Sequence, residues 1–153
     1  MKKPPVTTLP PASTQLLAIE ASANQLSIAV MVDGEVVATR QHLAAHGHVV
    51  GIVPLSIETL KDADMAFEAM THVVAGCGPG SFTGIRVALA AAKGFCMAHK
   101  ATGVGVSGLQ ALAHAATHVA PVATTPCLAL ADTRRGPLYA QIFDSTAQPM
   151  GEI

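Results

Sequence analysis

Charge is sparse in this chain. Only 12% of its 153 residues are Asp, Glu, Lys or Arg, against about 25% in an average soluble domain, so either small uncharged residues make its surface or another protein covers part of it. Aromatic residues are scarcer still, at 3% with no tryptophan, which leaves Ala, Gly and Thr to fill out that surface. Lys and Arg form no cluster and the formal net charge is −1. That argues against tight autonomous binding of nucleic acid, which depends on neutralising phosphates. Three cysteines, Cys77, Cys96 and Cys127, are odd in number and lack metal or redox spacing; they read as reduced thiols of a cytoplasmic protein. Long apolar runs are missing too, because Glu20, Arg86, Lys93 and Asp132 interrupt every candidate. No stretch approaches the roughly 18–20 apolar residues of a membrane span. The opening residues carry Lys2, Lys3 and four prolines but no apolar core, so 1–14 is expected to be a disordered tail rather than a signal peptide.

What is present is a regular succession of apolar segments, enough for one domain with its own core. Gln15–Ala21 reads as a buried strand. Leu26–Val32 and Glu35–Gln41 read as a hairpin, because the Asp33-Gly34 pair between them favours a type I′ turn. A helix is predicted over His46–Leu60 from the spacing of Val49, Val53, Ile57 and Leu60, with Pro54 inside it as a kink. Asp62–Glu68 reads as an acidic loop. Strand Thr71–Ala75, a small-residue helix Val87–Ala98, strand Thr102–Val106 and helix Gly108–Val119 follow. After a linker at Pro121–Pro126 come two more strands, Cys127–Ala131 and Leu138–Phe143. The order βββαβαβα predicts an α/β lobe with a mixed sheet and helices on both faces, of the actin-like or ribonuclease H-like kind. The last two strands look like the start of a second lobe. The expected division is 15–120 for the first lobe and 126–153 for an incomplete second.

The densest signal is Cys77-Gly78-Pro79-Gly80-Ser81-Phe82-Thr83-Gly84-Ile85-Arg86, which joins a strand to a helix. Glycine permits positive φ and close approach, and Ser81 or Thr83 can cap the helix, so Gly78, Gly80, Ser81 and Thr83 are the cofactor-binding candidates of a phosphate loop. The spacing G-x-G-x-x-x-G is one residue too long for the dinucleotide fingerprint, and no Lys-Ser or Lys-Thr follows Gly84. The alternative is a tight turn whose glycines serve packing. Glu20, at a strand end, lies where a carboxylate of an actin-like fold faces metal or phosphate, with Asp132 as its only partner. Yet Ala21-Ser22-Ala23-Asn24 offers no glycine for phosphate to approach. Among the histidines, His42, His46 and His48 could share a metal, but no nearby Asp, Glu or Cys completes a ligand set. Ser81 has no triad signature.

The helix after the glycine turn is apolar nearly all round, which implies burial on more than one side. Ile85, Leu89, Ala92 and Cys96 form a stripe that can face the sheet. Val87, Ala90, Ala91 and Gly94 form a second face, small enough for another helix to come close, inside the lobe or from a partner.

These residues carry a family resemblance. THVVAGCGPGSFTGIRVALAAAKGF, then GVGVSGLQALA and LALADTRRGPLYAQIFD, resemble the bacterial TsaB family, also called YeaZ; LLAIEAS resembles its first strand, where Asp is more usual than Glu20. His46-Gly47-His48 with Pro54-Leu55 resembles its first helix, and the likeness runs from Leu16 to Asp144. It implies an actin-like (ASKHA) fold and a part in making threonylcarbamoyladenosine beside the anticodon of tRNA. In that family the chain is a non-catalytic paralogue of the metal- and nucleotide-binding transferase TsaD. The resemblance implies a heterodimer with TsaD, joined by the ATPase TsaE, with ATP or ADP and tRNA engaged only through the complex. The contact implied is between helices, here His46–Leu60 and Phe82–Ala98, so the expected partner face is Val49, Ile52, Val53, Ile57, Val87, Ala90, Ala91, Gly94 and Met97. Without TsaD the same face is expected to form homodimers. Two features depart from the pattern: Pro137 stands where an acidic residue is usual, and the second lobe is short. Alternatives of other classes are an autonomous ATPase using Glu20, the glycine loop and Asp132, and a glycoprotease-like metallopeptidase.

Overall fold

The structure is a computed structural model that describes residues 13–43, 48–119, 126–132 and 136–151, with side chains throughout except at 48–50 and 118–119. Residues 1–12 of the tail expected at 1–14, His46, and residues 121–125 of the linker expected at Pro121–Pro126 lie outside the described residues. Ordered contacts begin before the first strand. The Ser13 hydroxyl and the Thr14 amide both donate to the Asp33 carboxylate, at 2.9 and 2.7 Å.

Three antiparallel strands open the fold: β1 (Gln15–Glu20), β2 (Gln25–Val32) and β3 (Glu35–Leu43). At the β2–β3 turn Asp33 and Gly34 have φ of 50° and 89°, the two positive values that a type I′ turn requires. Helix α1 (His48–Asp62) follows, then β4 (His72–Gly76), α2 (Phe82–His99), β5 (Thr102–Val106) and α3 (Gly108–Val119). Strands β4 and β5 join the sheet in parallel, giving the order β3-β2-β1-β4-β5. A separate antiparallel pair, β6 (Cys127–Asp132) and β7 (Leu138–Phe143), supplies the last two strands of the described residues.

Strand alternation sorts the five-stranded sheet into two unlike faces. On one, Leu17, Ile19, Leu26, Ile28, Val30, Val73 and Ala75 are buried with Ile52 and Leu60 of α1 and Ala88 and Ala92 of α2. Both α1 and α2 lie on that face. The expectation of helices on both faces therefore needs correcting: α3 packs on β6 and β7, where Leu109 and Ala113 meet Ala129 and Phe143. The second sheet takes the apolar side of α3, and on the far face of the first sheet only Gly108 and Ala111 of that helix border an open depression.

Two boundaries also move. Helix α2 begins at Phe82, not Val87, because Ser81 caps it. The predicted acidic loop is trimmed at both ends: α1 runs to Asp62, residues 63–66 are turn and irregular chain, and a single 3-10 turn, Phe67–Ala69, follows. The turn is held by aromatic contact, with the Phe67 ring 4.7 Å from Phe95 and 5.3 Å from His99, both on α2. Arg40 of β3 straps the end of α1 to the sheet through Glu58 at 2.8 Å and through Asp62.

Candidate functional site

Beyond the positive φ of Gly78 and Gly80, the freedom of the glycine turn is spent on packing. Gly80 sits so close to the β1–β2 turn that a Cβ would lie 2.4 Å from the Ser22 carbonyl oxygen, and a Cβ on Gly84 would lie 1.9 Å from that of Ala21. Ser81 N donates to the Ser22 carbonyl at 2.7 Å. The Ser81 hydroxyl accepts from Gly84 N at 3.2 Å, closing the helix N-terminus. Gly78, with φ of 85°, accepts from Gly108 N at 2.7 Å and so joins the turn to the start of α3. The turn is a three-way junction between β1–β2, α2 and α3. Of the four phosphate-loop candidates, Gly78, Gly80 and Ser81 are engaged with protein, and Thr83 is exposed.

Glu20 is likewise occupied. Its Oε1 accepts from Ser22 N at 2.5 Å, and its carboxylate fills the space where a side chain on Gly76 would stand, with Oε2 1.8 Å from the site of that Cβ. It borders the depression on the open sheet face, about 300 Å3, together with Ser27, Thr39, Gln41 and Ser107. Asp132, at the end of β6, is not part of that lining. The histidines are not assembled either: His42 is on β3, His46 lies outside the described residues, and His48 opens α1 with its side chain undescribed. No three His, Cys, Asp or Glu side chains are grouped to hold a metal among the described residues.

The helices hold the more informative surface. In α2 the side toward the sheet is Gly84, Ala88 and Ala92, one small residue per turn, so the axis comes close to the strands. This corrects the expected assignment in part: Ala92 and Cys96 face the core as expected. Leu89, assigned to the sheet, is 40% exposed, while Val87 and Ala91, expected outward, pack on the core. Ile52 of α1 also needs correction as an interface residue: it is 1% exposed and belongs to the core. Val49 has no described side chain. Val53 and Ile57 on α1, and Ala90, Gly94 and Met97 on α2, are exposed as expected. Phe82, which the sequence reading did not include, is 73% exposed and Met97 75%. Its signal in the sequence was an aromatic placed directly after the N-cap, ahead of the apolar stripe. Together these residues form an apolar outer face on two adjacent helices.

Comparison with known proteins bears on this arrangement. A model of the TsaD family, tRNA N6-adenosine threonylcarbamoyltransferase, matches residues 34–152. The tRNA threonylcarbamoyladenosine biosynthesis protein TsaB of Bacillus subtilis is 30% identical over 84% of this chain and 54% of its own length. YeaZ from Pseudomonas aeruginosa superposes with a TM-score of 0.80 at 25% identity, over 91% of this chain and 65% of that one. The chain belongs to the TsaB/YeaZ family. It spans about half the length of the curated relatives it matches.

Within the TsaB/YeaZ family frame the fold is an actin-like ATPase lobe. A weaker likeness, of TM-score 0.54 at 18% identity, links it to the (R)-2-hydroxyglutaryl-CoA dehydratase component A of Acidaminococcus fermentans and concerns the fold alone. The TsaB/YeaZ glycine motif thus has a structural meaning here. It is where two strands and two helices are fastened, and α2 is presented outward from that junction.

Proposed function

We propose that this chain works in the formation of threonylcarbamoyladenosine on tRNA as a non-catalytic subunit, and that its α1–α2 face binds and stabilises the transferase TsaD. One observation carries the reading. Val53, Ile57, Phe82, Leu89 and Met97 are exposed on neighbouring helices where a solvated helix pair is polar. Ala90 and Gly94 leave room between them for a second helix to approach. The names of the TsaB relatives support the pathway, and the packed glycine junction supports a structural role over a catalytic one. On this reading TsaE joins the pair, ATP or ADP is held by the complex, tRNA is reached through it, and the site of action is the cytoplasm. When TsaD is absent the same face self-associates as a homodimer.

The test is co-purification with the cognate TsaD of the native chain and of Gly94→Glu. Nothing lies within 4 Å of a Cβ at Gly94, so the variant folds, and it is expected to lose TsaD while keeping its circular dichroism and melting temperature. Undiminished capture by the folded variant refutes the interface. A second reading, direct nucleotide binding, rests on the depression beside Glu20; micromolar binding and turnover of ATP with magnesium by the isolated chain would establish it instead.

A further inference from the structure

We infer that the α1–α2 face is built for an acidic helix, one presenting two carboxylates about two turns apart beside an apolar stripe, and that a second copy of this chain is the poorer fit. The inference rests on the proposed function for the partner's identity and adds its chemistry. Helical spacing puts Phe82, Arg86, Leu89, Lys93 and Met97 along one outward line of α2, and all five are exposed. Arg86 and Lys93 are seven residues apart, about 10.5 Å along the axis. Neither has an ion-pair partner among the described residues; the contact recorded for Arg86 is with the Phe82 ring, 5.2 Å from the guanidinium. The carboxylates of the neighbouring helix are already committed, since Arg40 takes both Glu58 and Asp62. Glu68 lies beyond, at the C-terminal end of α2, facing His99 at 3.7 Å.

The face therefore offers two unmatched positive charges in an apolar setting. Arg86 also sits early in α2, near the positive end of the helix dipole, where no acidic residue offsets it. An incoming carboxylate relieves both. A twofold dimer through this face presents the same patch from each side, so it brings two more cations and no free acid from either α2. Charge complementarity of this kind governs association rate and partner choice more than it adds contact area.

The experiment is calorimetric titration of TsaD with the native chain, Arg86→Glu, Lys93→Glu and a control, Lys100→Glu, which makes the same charge change at the end of α2. Sedimentation of the native chain alone measures self-association. Each reversal on the stripe is expected to weaken TsaD binding about tenfold at low salt, with the gap closing as salt rises, and the control is expected to leave it unchanged. Reversals with native affinity and native salt dependence overturn the inference and leave the proposed function standing. Failure of the native chain to bind TsaD at any salt overturns both. Self-association tighter than TsaD binding overturns the choice of occupant.

Discussion

Two glycines on one helix should respond in opposite directions to the same substitution. Alanine at Gly84 places a methyl 1.9 Å from the Ala21 carbonyl oxygen and 2.9 Å from its carbon. Both atoms are backbone, at the junction where Ser81 N also bonds Ser22, so no side chain can swing aside. Helix α2 must move off the β1–β2 turn by more than an ångström. Overpacking of this kind costs about 3 kcal/mol or more, and the gain in helix propensity returns only about 1. A net loss of about 2 kcal/mol corresponds to a melting temperature lower by about 4–8 °C for a chain of this size. At Gly94 a Cβ meets nothing within 4 Å, so only the propensity gain remains, about 0.5–1 kcal/mol or a rise of about 1–4 °C. Thermal melts followed by circular dichroism measure both. Equal shifts of the same sign would refute the claim that α2 is rooted through Gly84 and free at Gly94.

Ser81→Ala is expected to destabilise by about 1 kcal/mol in urea unfolding, through loss of the cap on Gly84 N, with Ser81→Asp restoring most of it. Hydrogen bonding to Arg40 holds the Asp62 carboxyl below its ordinary value. The stability this contributes is present above the unfolded-state value and is lost as pH falls through the lower folded one, below the usual carboxylate range. Native protein and Arg40→Met should therefore differ near neutral pH and converge on acidification, as read by urea midpoints from neutral to strongly acidic pH.

The element order was legible because each strand and helix carries its own period, and the Asp33-Gly34 turn announced the first hairpin. The orientation of α2 was not. Small residues suit close approach to a sheet and to a partner equally, so the spacing that put Ala92 on the sheet side and Ala90 and Gly94 outside still misplaced Ala91 and gave no reason to choose Gly84 and Ala88 for the closest contact. What decided it was the β1–β2 turn pressing on Gly84, a contact between segments some sixty residues apart. Ile52 was misplaced for a related reason: α1 needs a wide buried side, and Ile52 belongs to it alongside Ser56, Thr59 and Leu60. The turn at Phe67–Ala69 was hidden among acidic residues because its order depends on Phe95 and His99, which lie a full crossover away. Glu20 could be read as a strand-end carboxylate, but not as one whose acceptor oxygen is taken by its own turn.

That carboxylate also constrains how this sequence can change. Glu20 and Gly76 share one volume, filled by the longer side chain from β1 and vacated by the missing one on β4. A side chain at 76 would therefore have to turn the Glu20 carboxylate out of that volume and away from the Ser22 amide it accepts from. A shorter carboxylate at 20, such as Asp, would leave more of that volume free, so what position 76 of β4 can carry is set by a residue on the neighbouring strand.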